Sequence, residues 1–62
     1  MTEFSAEDKR KAAERELNRR RRHYPNRIYT KRMSQTEADY EVEIMAQICG
    51  DYALAAEKER LL

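Results

Sequence analysis

Residues 34–60 read SQTEADYEVEIMAQICGDYALAAEKER, and the spacing of apolar residues in this stretch decides the fold. Ser34 followed three residues later by Glu37 is a capping box, in which each side chain satisfies a backbone amide of the other at a helix start. Met33 before the cap and Ala38 after it are placed to pack as a hydrophobic staple. A helix is therefore predicted from Gln35 to about Arg60. At 100° per residue, Ala38, Val42, Met45, Cys49, Tyr52 and Ala56 fall on one line with alternating spacings of four and three, a heptad-like seam. A second stripe of Ile44, Ile48 and Ala55, flanked by Tyr40, lies beside it. The apolar arc thus spans roughly half the circumference, more than the ~100° that a single partner helix covers.

Upstream, Ser5 and Asp8 resemble a capping box with Asp in place of Glu, leading into KRKAAERELNRRRRHY (9–24), a run of good helix formers. A first helix is expected over about 6–24. Its seam is thin: Ala6, Ala13, Leu17 and Tyr24, with Arg10 and Arg20 lending their aliphatic stems. Pro25 disfavours helical geometry at Tyr24, so the helix is expected to end there. Residues 25–33 then form a bend with one or two helical turns, since Pro25 suits the first position of a new turn.

The fold class expected is all-α: one domain over 1–62, an antiparallel helical hairpin of two long helices. One hairpin mate covers one stripe of the second helix. The other is covered most simply by a second copy, giving a homodimeric four-helix arrangement. Gly50 inside the second helix has two readings, close helix approach at the dimer centre or an end of the helix at Cys49.

A chain of 62 residues buries only about 60% of the surface its unfolded form exposes, so it needs help to be stable. With one cysteine and one histidine it can form neither an internal disulfide nor a tetrahedral zinc site, and self-association remains. No apolar run reaches the ~18 residues of a membrane span, and the first eleven residues are polar and charged, unlike a signal peptide. A cytoplasmic protein with no membrane contact is the expectation.

No catalytic, cofactor-binding or metal-ligating residue is expected. His23 ends an arginine run, and Cys49 lies on an apolar seam where a thiol is inert. The carboxylates Glu37, Asp39, Glu41 and Glu43 scatter over several helix faces instead of facing each other across a cleft. Function then rests on binding. Residues 1–33 carry eleven Lys/Arg against five Asp/Glu, a net +6, while residues 34–62 carry two against seven, a net −5. Two antiparallel helices complementing each other and a basic face for an acidic partner both fit this division. The candidate basic face comprises Arg15, Arg19, Arg20 and Arg22. The candidate protein-binding surface joins Tyr24, Ile28, Tyr29 and Arg32 of the bend to Tyr40, Glu41 and Ile44, a mix of aromatic and charged residues found at binding hot spots. Core and dimer contacts are assigned to Leu17, Val42, Met45, Ile48, Cys49 and Tyr52. Nucleic-acid binding through the basic first helix is the alternative function.

Residues 19–52, RRRRHYPNRIYTKRMSQTEADYEVEIMAQICGDY, carry an ordered pattern: an arginine run (Arg19 to Arg22), Tyr24-Pro25, Arg32-Met33, the Ser34 cap, Glu37-Ala38-Asp39, Ile44-Met45 and Asp51-Tyr52. In order and spacing this resembles a family of very short helical proteins encoded by bacteriophages and prophages of proteobacteria. Cys49 and Gly50 depart from the small aliphatic residues of the family pattern. One similar member is a phage quorum-sensing anti-activator, a helical dimer that disables a LuxR-type transcription factor and a pilus-assembly ATPase. The resemblance implies a homodimeric inhibitor of a host bacterial protein, acting in the host cytoplasm during host takeover.

Overall fold

Ser34 is where the chain enters its second helix. In the computed structural model, which describes residues 2–62, its extended backbone receives the incoming chain. Its side-chain oxygen accepts from the Glu37 amide at 3.0 Å, while Glu37 accepts from the Ser34 amide at 3.4 Å. The capping box is complete, and α2 (Gln35–Leu61) runs from it without interruption through Gly50. The first helix, α1 (Ala6–Tyr29), begins at Ser5, whose hydroxyl accepts from the Asp8 amide at 3.1 Å. The architecture is an all-helical hairpin, with no strand among the described residues.

The end of α1 differs from the sequence expectation. Instead of stopping at Tyr24 before a bend over 25–33, the helix continues through Pro25 to Tyr29, and the connection shrinks to residues 30–34. Proline deprives the Arg21 carbonyl of its helical donor, a cost of about 3 kcal/mol in a helix interior. Two gains offset it. Continuing the helix keeps Tyr24 and Ile28, one turn apart, half-buried on the side that faces α2, and Arg27 lies over the Tyr24 ring at 5.5 Å. The helix is also closed by a Schellman pair: the Arg32 amide donates to the Arg27 carbonyl at 2.8 Å and the Lys31 amide to the Ile28 carbonyl at 3.0 Å.

That closure requires a left-handed residue, and Lys31 supplies it with φ 61°. Left-handed geometry costs an L-residue about 1–2 kcal/mol, part of which glycine would give back through its greater freedom when unfolded. Lys31→Gly is therefore expected to raise stability by about 0.5–1 kcal/mol, read as a higher urea midpoint with an unchanged slope.

The seam is built from small residues. Ala6, Ala13, Leu17, Ala38, Met45 and Ala56 are the buried ones, and Ala13, Leu17 and Met45 form the central cluster against which Val42, Ala46, Ile48, Cys49 and Tyr52 pack in part. Alanine lets the helices approach but contributes little apolar area, and among the described residues no side chain is completely buried. Polar contacts hold the two ends of the seam. Near the bend, Arg20 donates to the Glu41 carbonyl at 2.8 Å and pairs with the Glu41 carboxylate at 3.4 Å. At the open end, both Glu59 oxygens accept from the Ala6 amide, at 3.0 and 3.1 Å, placing a negative charge on the N-terminus of α1.

Gly50 does not mark a close approach between α1 and α2: a methyl group added there would meet nothing within 4 Å. Gly50→Ala is expected to stabilise the hairpin by up to about 1 kcal/mol, measured by thermal melting at the lowest workable concentration. Weaker association of the same variant would place a partner's backbone against Gly50.

The finished hairpin is a rod of 47 × 22 × 17 Å. Its radius of gyration is 14.3 Å, against about 10.6 Å for a compact domain of this length. Its accessible surface is 5307 Å² for 7.5 kDa, against about 4,200 Å² for a compact monomer of that mass. The excess is about 1,000 Å².

Candidate interaction surfaces

Three surfaces emerge when the exposed residues are followed around the two helices. The first lies on the side of α2 opposite α1. Tyr40 (63% exposed), Ile44 (40%), Leu54 (59%) and Leu61 (76%) stand there, in a strip completed by Thr36, Gln47, Asp51 and Lys58 by helical spacing. Of the seven carboxylates on α2, Asp51 falls within the strip and Glu43, in line with Leu61, on its edge; the others flank it or face α1. Ile48 and Ala55, placed by the sequence in the same stripe as Ile44, are half-buried at its edge toward α1. Leu54 and Leu61 were not singled out by the sequence reading, because they lie outside the heptad-like lines drawn from Ala38 and Ile44. Their spacing from Tyr40 and Ile44 was the signal that could have found them.

The second surface is a groove of about 700 Å³ at the bend end. Arg21, Tyr24, Pro25 and Ile28 form one wall, and Gln35, Ala38, Asp39, Tyr40, Val42 and Glu43 the other. It exists because α1 continues past Pro25 and carries Ile28 alongside the start of α2. Of the candidate protein-binding residues, Tyr24, Ile28 and Tyr40 meet here. The others are dispersed. Arg32 lines an adjoining depression with Ile28, Met33 and Glu37, Glu41 is engaged by Arg20, Ile44 belongs to the apolar strip, and Tyr29 stands 86% exposed on the outer side of α1. Met33, expected to staple onto Ala38, is half-buried, and Ala38 is buried.

The third surface is the outer face of α1. Arg15, Arg19 and Arg22 are exposed there, and none forms an ion pair among the described residues. Arg20 does not belong to it, since it turns inward onto Glu16, at 3.2 Å, and Glu41. The remaining α1 pairs are Arg10 with Glu7 and with Glu14, and the Arg10 hydrogen bond holds the Glu7 carboxyl below the usual carboxylate range. Among the described residues, Arg20–Glu41 is the one ion pair joining the helices. Mutual neutralisation of the two halves therefore uses little of the charge that the sequence separates.

His23 is exposed and Cys49 half-buried, on different helices. Among the described residues no group of three or more His, Cys, Asp or Glu side chains is arranged to hold a metal ion, and no helix is long and apolar enough to cross a membrane. Comparison with protein-family models, with curated proteins and with solved structures returns no match.

Proposed function

We propose that this chain is a non-enzymatic binding protein that acts as a homodimer, a second copy covering the apolar strip of α2. The observation that carries this reading is the strip itself, four large apolar side chains in one line on a helix whose other side is already occupied. A standard interface takes about 800 Å² from each partner. That is comparable to the ~1,000 Å² by which the hairpin's surface exceeds a compact monomer's. Buried against its own copy, the strip becomes the second half of the core that the alanine-rich seam lacks.

A dimer centred on Ile44, Leu54 and Leu61 leaves the bend end free, and there Tyr40, at the end of the strip, joins Tyr24 and Ile28 in the groove that is the surface for a protein partner. Half-exposed aromatic rings beside Arg21 and Asp39 are the residue types that carry binding energy at protein interfaces. Combined with the phage-family resemblance of residues 19–52, the reading is a phage or prophage accessory protein that occludes a host bacterial protein in the host cytoplasm. A transcriptional regulator is the preferred target, in the manner of a quorum-sensing anti-activator. The test is affinity capture from bacterial lysate with the tagged full chain, quantified by mass spectrometry. A stoichiometric host protein lost with Tyr40→Asp is expected. Capture of none under any growth condition, or capture indifferent to Tyr40, contradicts the proposal.

A further inference from the structure

We infer that the outer face of α1 is a binding site for duplex nucleic acid, contacted through its phosphates. The extension of α1 through Pro25 lengthens this face. Lys11, Arg15, Arg19 and Arg22 lie on the side of α1 turned away from α2, and the added turns bring Asn26 onto the same side as Asn18. All six are exposed, and none of the four cations is in an ion pair among the described residues. Asp8 stands in the first turn of the helix, but from Lys11 to Tyr29 the face holds no carboxylate: Glu14 and Glu16 lie toward the seam, occupied by Arg10 and Arg20.

Two physical points favour nucleic acid over an acidic protein surface. Protein interfaces bury a contiguous core of aromatic and aliphatic side chains, whereas the middle of this face holds Ala12 alone, and the exposed aromatics Phe4, beside Lys11 and Arg15, and Tyr29, at the far end of α1, stand too far apart to form one. Cations and side-chain amides are what phosphate and sugar oxygens accept from. Second, the acidic helix does not cancel the field. α2 packs on the opposite side, about 8–10 Å away axis to axis, so its carboxylates stand more than one Debye length, about 8 Å in physiological salt, from a ligand on the outer face. The site does not depend on the dimer, because it uses neither the α2 strip nor the groove at the bend.

The experiment is fluorescence anisotropy of a labelled random-sequence duplex titrated with the full chain at about 50 and about 200 mM salt. Three to four phosphate contacts predict affinity falling by about 40- to 150-fold over that range. Arg15→Gln/Arg19→Gln/Arg22→Gln, all exposed positions whose replacement leaves the hairpin helical by circular dichroism, is expected to flatten the slope of log affinity against log salt by about 2.7. Lys31→Gln/Lys58→Gln, removing charge elsewhere, should leave most of that slope in place. Absence of binding at about 50 μM protein in the lower salt overturns the inference, as does an unchanged slope in the triple variant. Tighter binding to a glutamate-rich peptide than to duplex at equal charge concentration also overturns it, and assigns the face to an acidic protein.

Discussion

Ile44→Glu/Leu54→Glu is expected to weaken self-association by about 100-fold or more, with the hairpin of each chain left intact. Both side chains are exposed in the single hairpin, so their replacement changes its own stability by no more than about 0.5 kcal/mol. In the proposed dimer they lie in the covered apolar strip. Fully burying an Ile or Leu is worth about 1.5–3 kcal/mol, and each substitution also sets an unpaired carboxylate against an apolar neighbour. Light scattering after gel filtration should find the parent as a dimer and the variant as a monomer. The melting temperature of the variant should no longer rise with protein concentration. A variant that elutes and melts like the parent would place the dimer contact elsewhere.

Leu17→Ala should cost about 2.5–4 kcal/mol. Among the described residues, Leu17 and Met45 are the only buried side chains larger than alanine, and the larger ones that pack against them, Val42, Ile48 and Tyr52, are themselves partly exposed. A domain of this length has roughly 3–9 kcal/mol to lose, so the variant keeps little of its folded population at physiological temperature. Urea unfolding followed by far-ultraviolet circular dichroism reads the effect. A loss below about 1 kcal/mol would show that the seam between the helices is not where the chain gets its stability.

The parts of this fold that are set by local chemistry could be read from the residues. The Ser34–Glu37 box and the line from Ala38 to Ala56 give the start and the inner face of α2, and Ala6, Ala13 and Leu17 give that of α1. What escaped depends on contacts between segments. Pro25 is a reliable stop only when nothing beyond it repays a continued helix, and here Tyr24 and Ile28 on the seam do so. Lys31 in a left-handed cap carries no sequence signal, since glycine or asparagine is the usual occupant. Glu59 capping α1 joins residues 53 positions apart, beyond any local pattern. The candidate surface was legible in composition but not in grouping. Tyr24, Ile28 and Tyr40 share a groove, while the continued helix carries Tyr29 around to the opposite side and Arg20 takes up Glu41.

The proposed function rests on the proposed pairing of two hairpins along α2, and sedimentation equilibrium over a wide concentration range tests that pairing most directly. A species of twice the 7.5 kDa chain mass, about 15 kDa, dissociating to single hairpins only at high dilution, is the predicted result. A fully helical 7.5 kDa species at every concentration would contradict it.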